Sequence, residues 1–269
     1  MRRYVVLPVL VLCLTLLVAA PCVHAAPIDL STWSPLTLSF PGGQGAGTWV
    51  LEPGNTAVQQ TLNADPSFFL NNVSQTGYTM NGSWQVMPPH SDDDYMGFVF
   101  GYQNSSNFYL FDWKQVDQGY AGGMAAEGMT IKKFQGATGN GLADLSLLEF
   151  WENTASVGDM TILASNHSST AGWVVSDLYD FNLDFMTTPG QIHVVVKQGA
   201  TTLWDVMVND STFTSGQFGF FNFSQERVRY AGFEETIGPP PPSVPEPATL
   251  LLLATGLAGL GGVAWRRRR

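Results

Sequence analysis

Cysteine is almost absent from this 269-residue chain: Cys13 and Cys22 are the only two, and both lie in the first 25 residues. Because we predict below that this segment is removed on export, the exported domain contains no cysteine, which excludes disulfides and thiolate metal sites. Basic residues are also scarce. The segment from Ala26 to Pro247 contains six basic residues and all twenty-two acidic residues of the chain, so its net charge is −16. Such a charge repels nucleic acid and anionic lipid and suits divalent cations.

Catalytic motifs are missing as well. The sequence has no Gly-x-Ser-x-Gly elbow and no phosphate-binding loop, and the histidines after residue 25, His90, His167 and His193, do not stand at metal-binding spacing. A retaining glycosidase needs two carboxylates about 5 Å apart, whereas Glu149 and Glu152 would point to opposite faces of a strand. We therefore predict a non-enzymatic protein and keep a polysaccharide-degrading enzyme as a second alternative.

The first 25 residues have the composition of a signal peptide. Arg2 and Arg3 precede an apolar run from Tyr4 to Ala20, and Val23-His24-Ala25 places small residues where a signal peptidase cleaves. We expect cleavage after Ala25, so that the mature protein begins near Ala26.

The last residues combine a short motif, an apolar run and a basic end. Val244, Pro245, Glu246 and Pro247 close a proline-rich linker, residues 238–247, that favours an extended spacer. Residues 248–265 form eighteen uncharged, mostly apolar positions, which as a helix would reach about 27 Å and cross a membrane. The basic tail should stay cytoplasmic and act as the stop of the anchor; it consists of Arg266, Arg267, Arg268 and Arg269.

This ending resembles the PEP-CTERM sorting signal of exopolysaccharide-producing Gram-negative bacteria. The resemblance implies that an exosortase-type enzyme processes a membrane-anchored precursor near the motif. It also implies that the mature form is found at the cell surface or outside the cell. A plain C-terminal membrane anchor is the alternative.

Residues 26–237 should form one all-β domain. Helix signals are scarce, and short aromatic and β-branched runs alternate with turn-prone clusters, as in an antiparallel sandwich. In Phe108–Trp113 we expect Tyr109, Phe111 and Trp113 to point into the core. The other predicted strands are Trp84–Val86, Phe98–Phe100, Met129–Lys132, Leu147–Trp151, Trp173–Val175, Ile192–Lys197, Leu203–Val208 and Phe218–Phe223.

A second resemblance runs through this domain. The blocks Ser91–Gln103, Phe108-Tyr109, Trp113-Lys114-Gln115, Gly172-Trp173, Gly190–Val196 and Gly219–Glu226 are similar, in this order, to the thrombospondin C-terminal domain. The resemblance implies a concanavalin-like, L-type-lectin-like jelly-roll sandwich that binds calcium and engages cell-surface or matrix partners. The Asp-rich calcium repeats that precede this domain in thrombospondins, their cysteines and an Arg-Gly-Asp triplet are absent here, so functions that depend on them are not implied.

Asp92, Asp93 and Asp94 are the predicted metal ligands. Three adjacent carboxylates repel one another unless a cation or several donors compensate, and Ca²⁺ takes six to eight oxygen ligands. A solvated acidic bend is the alternative. We expect Asp112, within an aromatic strand, to lie on an exposed face, and Asp177, Asp180 and Asp184 could form a second acidic cluster.

Together these features predict an exported, calcium-binding adhesion or extracellular-matrix module associated with exopolysaccharide or the cell envelope. The expected partners are an exosortase-type enzyme, the membrane before processing, and extracellular polysaccharide or matrix protein, but not nucleic acid. The alternative is a calcium-dependent lectin, which would need an exposed aromatic ring beside Asp92–Asp94.

Overall fold

A computed structural model describes residues 27–237, and the backbone alone for 232–237. The predicted signal peptide, linker, membrane helix and basic tail lie outside these residues. Within the described chain no helix is long and apolar enough to span a membrane.

The described residues form sixteen strands and three short helical segments. The strands are β1 (Ser34–Thr37), β2 (Trp49–Leu51), β3 (Ala57–Gln60), β4 (Ser67–Leu70), β5 (Tyr78–Val86), β6 (Tyr95–Asn104), β7 (Asn107–Lys114), β8 (Gln118–Tyr120), β9 (Gly123–Ala125), β10 (Gly128–Gln135), β11 (Met160–His167), β12 (Tyr179–Phe185), β13 (Gln191–Gln198), β14 (Thr201–Asn209), β15 (Gln217–Phe223) and β16 (Val228–Ile237). The helical segments are a 3₁₀ turn at Leu30–Thr32, α1 (Gly141–Asp144) and α2 (Leu147–Trp151).

Two seven-stranded antiparallel sheets face each other. The first sheet has the order β1-β4-β15-β6-β7-β10-β11, and the second has the order β14-β13-β12-β5-β16-β3-β2. The strands β8 and β9 form a separate two-stranded ribbon. This arrangement confirms the all-β jelly-roll sandwich that the sequence predicts.

The inner core lies between the sheets and is rich in aromatic rings. On β5 and β12 every second side chain is buried and the intervening ones face solvent, the pattern of a sheet with one wet face. Tyr109, Phe111 and Trp113 project into this core, as predicted. Rings such as those of Phe98 and Phe111, whose centroids are 4.7 Å apart, stack across the strands of the first sheet.

A second, outer core covers the other face of the first sheet. Phe108, Leu110 and Phe134 point away from the inner core and pack with Phe150 and Trp151 of α2. Consequently β6 and β7 are buried on both faces over nearly their whole length.

Three predictions made from the sequence are wrong. Residues Leu147–Trp151 form a helix, and residues 173–175 form a loop. Asp112 is fully buried in the outer core, where its Oδ2 lies 2.7 Å from Nζ of Lys132, which is also fully buried. The covering layer and the paired cation, neither apparent from the strand pattern, hold this carboxylate inside.

The loops gather at two opposite ends of the sandwich. We call one end the acidic pole; it holds loops 61–66, 87–94, 115–127, 168–177 and 224–227. The opposite end holds loops 71–77, 105–106, 136–140, 186–190 and 210–216, and β16 ends there because Ile237 pairs with Tyr78, the first residue of β5. Asp92–Asp94 follow the other end of β5 and so lie at the acidic pole.

Candidate cation and ligand site

The three aspartates end the connection between β5 and β6, and neighbouring loops hold them in place. Gln225, fully buried in loop 224–227, accepts the backbone N–H of Asp94 at 2.9 Å. The indole N–H of Trp173 donates to the carbonyl of Asp94 at 3.0 Å. Glu226 accepts the N–H and the hydroxyl of Ser91. The backbone of this segment is therefore tied to two loops distant in sequence.

Lys114, at the end of β7, is the cationic partner of the cluster. Its fully buried Nζ lies 2.7 Å from Asp93 Oδ1 and 2.6 Å from Asp94 Oδ1, and it also donates to the carbonyl of Asp93 and to Gln118 Oε1. The ammonium lies 5.2 Å from the ring centroid of Trp151. Lys114 thus compensates Asp93 and one oxygen of Asp94.

The remaining charge of Asp94 and Asp92 is not compensated in this way. Burial raises the pKa of Asp94 to about 7; the attraction of Lys114 lowers it, and a hydrogen bond with the Asp92 carboxyl raises it again. At neutral pH the buried position of Asp94 beside Asp92 therefore disfavours the negative charge of Asp94. A bound divalent cation would remove this conflict by taking the place of the proton.

A further oxygen at this position lacks a partner. The side-chain amide of Asn63 donates to Asp92 Oδ2, while its buried Oδ1 makes no hydrogen bond among the described residues. Amide, carboxylate and hydroxyl oxygens are the hard donors that Ca²⁺ prefers. Within residues 27–237, Asp92–Asp94 form one group of carboxylates whose ligand atoms lie within 4.8 Å of one another. The residues present therefore fit a calcium ion.

A cavity of about 190 Å³ opens beside Asp92 and Asp94. Its other lining residues are Gln44, Gln118, Tyr120, Trp151 and Ser224. Tyr120, in the β8–β9 ribbon, is 41% exposed and meets the buried Trp151 edge to face at a centroid distance of 4.9 Å. An exposed aromatic ring thus stands next to the acidic cluster, the feature that a lectin would require.

The other acidic residues do not assemble a second site. Asp177 accepts a hydrogen bond from Gln198, and Asp184 accepts one from Thr79 and contacts His193. Among the described residues, no metal-binding group includes Asp177, Asp180 or Asp184. The possible second cluster is therefore not formed.

Glu149 and Glu152 lie in and just after α2, and both act as acceptors for backbone N–H groups. Glu149 accepts those of Ser146 and Asp159, and Glu152 accepts those of Met124, Thr154 and Ala155. Burial raises the pKa of Glu152, but the hydrogen bonds from Thr154 and from backbone groups outweigh this and leave its pKa below the usual value. Glu152 therefore lacks the raised pKa of a general acid.

Several residues of the site were not predicted. Asn63 and Gln44 come from two separate segments, and no local motif marks them. Lys114 belongs to the Trp113-Lys114-Gln115 block and Gln225 to the Gly219–Glu226 block, so the resemblance to thrombospondins was the signal available for these two residues. These residues meet at the site because strands that are distant in sequence pair in the two sheets.

Comparison with solved structures places the fold among lectin-like sandwiches. The carbohydrate-binding module CBM66 from Bacillus subtilis matches 76% of this chain and 94% of its own at 14% identity and a TM-score of 0.50. The lumenal domain of VIP36, in its Ca²⁺/Man₃GlcNAc-bound form, matches 79% of this chain and 86% of its own at 8% identity, also with a TM-score of 0.50. These similarities define the class of fold, a lectin-like jelly roll.

Sequence comparison identifies the family within this class. The model of the thrombospondin C-terminal region matches residues 44–236, and that of the PEP-CTERM protein-sorting motif matches residues 243–269. The chain therefore belongs to the thrombospondin C-terminal region family and ends in a PEP-CTERM sorting motif.

Among its relatives, thrombospondin-3b of Danio rerio is 32% identical over 186 residues, which cover 67% of this chain and 20% of the relative. Human cartilage oligomeric matrix protein is 31% identical over 189 residues, which cover 68% of this chain and 24% of the relative. This chain thus matches only about a fifth to a quarter of the length of these relatives.

Proposed function

We propose that the protein is an exported, calcium-binding adhesion or extracellular-matrix module without enzymatic activity. It is made as a precursor that is cleaved after Ala25, held in the membrane through residues 248–265 with Arg266–Arg269 on the cytoplasmic side, and processed at Val244–Pro247 by an exosortase-type enzyme. The mature domain then acts at the cell envelope or in the exopolysaccharide around it. The sorting motif and the matrix proteins among its relatives support this assignment.

Calcium would be held by Asp92 and Asp94, with Asn63 Oδ1 as a further oxygen ligand and Asp93 held to Lys114 beside them. The observation that carries this proposal is the close pair of Asp92 and Asp94, in which the pKa of Asp94 is raised to about 7. When bound, the ion neutralises this pair. Because Asn63 and Asp92 belong to different loops, their shared ion would fasten loop 61–66 to loop 87–94 and stabilise the acidic pole.

Thermal unfolding in the presence of calcium or of a chelator tests the ion. A ligand at a hundredfold excess over its Kd stabilises the folded state by about 2.7 kcal/mol, so chelation should lower the Tm by roughly 5–10 °C. The double variant Asp92→Asn/Asp94→Asn should not respond to the chelator. Asp180→Asn, at an exposed carboxylate outside the cluster, should respond like the wild type. An unchanged wild-type melting curve would remove calcium from the proposal.

A calcium-dependent lectin is the second candidate function, and the exposed ring of Tyr120 beside Asp92 and Asp94 favours it. Sugars bind aromatic faces through their apolar side and polar groups through their hydroxyls, and Gln44, Gln118 and Ser224 line the same cavity. A glycan array in calcium should then give binding that chelator and Tyr120→Ala both abolish. Met124→Ala, at another exposed residue of the ribbon, is the control. Absence of any glycan binding would leave the matrix role.

A further inference from the structure

We propose that Lys132 and Asp112 condense into an isopeptide bond, an amide between Nζ of the lysine and Cγ of the aspartate, once the domain has folded. The bond is a covalent modification of the chain by two of its own residues, and it joins strands β7 and β10 of the first sheet. This inference goes beyond the proposed function and depends neither on the calcium site nor on processing of the sorting motif.

The register of the first sheet holds the two side chains in contact. Asp112 on β7 stands opposite Thr130, which is two positions before Lys132 on β10, so both side chains project from the same face of the sheet. Lys132 Nζ lies 2.7 Å from Asp112 Oδ2. Because Cγ is bonded to Oδ2, the carbon atom to be attacked lies within about 4 Å of the nitrogen. Well-oriented groups this close react as if present at about 10⁵–10⁸ M.

Burial brings both groups toward the uncharged forms that can condense. Both side chains are fully buried. Burial raises the pKa of Asp112 to about 6 against the attraction of Lys132, and it lowers the pKa of Lys132 despite the attraction of Asp112. A proton that moves from the ammonium to the carboxylate leaves a neutral amine beside a carboxylic acid. Conversion of the ion pair into a neutral amide then removes two charges that are costly to keep inside the protein.

The hydrogen bonds around the pair favour the amide over the ion pair. Among the described residues, neither carboxylate oxygen of Asp112 has a well-directed hydrogen-bond partner, although the ammonium lies close to Oδ2. Lys132 Nζ donates to the carbonyl of Phe150 at 2.9 Å and lies 5.1 Å from the ring centroid of Tyr95. After condensation the amide N–H still has the Phe150 carbonyl as its acceptor. The buried surroundings exclude the water that would hydrolyse the bond.

The reaction needs no oxidant, reductant or further reactant. The lone pair of the neutral Lys132 amine attacks Cγ of the protonated Asp112 carboxyl group and forms the C–N bond. The bond from Cγ to the hydroxyl oxygen then breaks, and the hydroxyl leaves with one proton of the nitrogen as a molecule of water. The chain therefore loses the mass of one water, about 18 Da.

Two other contacts between lysine and aspartate have nearly the same length but lack these conditions. Lys133 lies 2.7 Å from Asp210, and both side chains are partly exposed. Burial raises the pKa of Asp210, but hydrogen bonds from Lys133 and from two neighbouring residues outweigh it and leave this pKa at about 2. Lys114 lies 2.6 Å from Asp94, but its ammonium donates to four oxygens, which keep it protonated. Both contacts should therefore remain ion pairs.

The bond provides a cross-link in a domain that has no disulfides. It closes the chain from residue 112 to residue 132, a segment that includes the β8–β9 ribbon with Tyr120. Closing such a loop lowers the entropy of the unfolded chain, as a disulfide does. Unlike a disulfide, the amide does not respond to reductant, and residues 26–247 contain no cysteine. The modification therefore suits a protein that has to stay folded outside the cell.

Tryptic digestion of the full-length protein, followed by mass spectrometry, tests the bond. Trypsin cleaves after Lys114, which separates Asp112 from Lys132 in the unmodified chain. In the modified chain, cleavage after Lys132 is blocked. The peptide that ends at Lys114 then stays joined to residues 115–133, at the sum of the two masses less one water, and fragmentation identifies the joined residues.

The protein is purified in its folded state, incubated for several days and denatured only for digestion. Chain that is kept in urea from its isolation onward is the unfolded control and should give separate peptides. Lys132→Arg keeps a cation but has no amine that can form this amide, so it should lose both the joined peptides and the mass change. Lys133→Arg, a matched change at the next residue, should keep both.

Folded wild-type protein of full mass that yields only separate peptides would overturn the proposal, whatever the variants do. Joined peptides that contain the link at Lys114 or Lys133 would overturn it as well. Neither result bears on calcium binding, which the response to chelator tests. Freshly refolded chain of full mass still carries the ion pair and is the reference for stability measurements on its variants.

Discussion

At the scale of single residues, the buried ion pair of Asp112 and Lys132 could not be predicted from the sequence. An aspartate within an aromatic strand is expected on a wet face, because an unpaired carboxylate is costly to bury. Its partner stands twenty positions later on the neighbouring strand β10, and Lys132 also donates to the carbonyl of Phe150 at 2.9 Å. The strand register that makes the pair possible cannot be deduced from either residue.

The pair gives a prediction. Lys132→Met leaves the carboxylate of Asp112 buried without its cation and should lower the free energy of unfolding by about 3–5 kcal/mol. The double variant Asp112→Leu/Lys132→Met removes both charges and should regain most of this loss. Urea unfolding at neutral pH measures both. A single variant as stable as the wild type would show that the carboxylate is hydrated and not buried.

At the scale of secondary-structure elements, most strands could be predicted, and α2 could not. Alternation identified the centres of β7, β13 and β14, whereas the aromatic run Leu147–Trp151 also suits a strand. One overlooked signal was Ser146 followed three residues later by Glu149, the pattern that begins a helix. In the structure the Glu149 carboxylate accepts the N–H and the hydroxyl of Ser146.

Glu149→Ala should therefore destabilise the protein beyond the loss of a surface charge. It removes the acceptor for the backbone N–H groups of Ser146 and Asp159, and leaving such groups without a partner costs about 2 kcal/mol. Glu149→Gln retains one acceptor oxygen and should lose less. Chemical denaturation compares the two variants. Equal stability of the alanine variant and the wild type would mean that solvent replaces both hydrogen bonds.

At the scale of the whole molecule, the sandwich could be predicted from periodicity and turn residues, but the candidate site could be predicted only in part. Asp92–Asp94 are adjacent in sequence and were recognised. Asn63, Lys114 and Ser224 meet them because β3, β7 and β15 all end at the same pole. Convergence of this kind depends on strand order, and one sequence does not reveal strand order.

The three-layer arrangement makes a further prediction. Phe98 lies in the inner core and Phe134 in the outer core, and both are fully buried. Replacing either with alanine should cost about 3–5 kcal/mol, because each leaves a cavity in close-packed surroundings. Val50→Ala, at a half-exposed position, should change stability by less than about 0.5 kcal/mol. If Phe134→Ala cost as little as this control, the outer layer would not be integral to the fold.

Because the first sheet is covered on both sides, the outer face of the second sheet is the sheet face of the described domain that stays open to solvent. Its outward side chains, among them Thr79, Asn81, Asn182 and Val195, belong neither to a core nor to the acidic cluster. A biosensor or affinity resin built on this domain should be coupled through that face. Attachment there would leave both cores packed and the cluster open to whatever is passed over it.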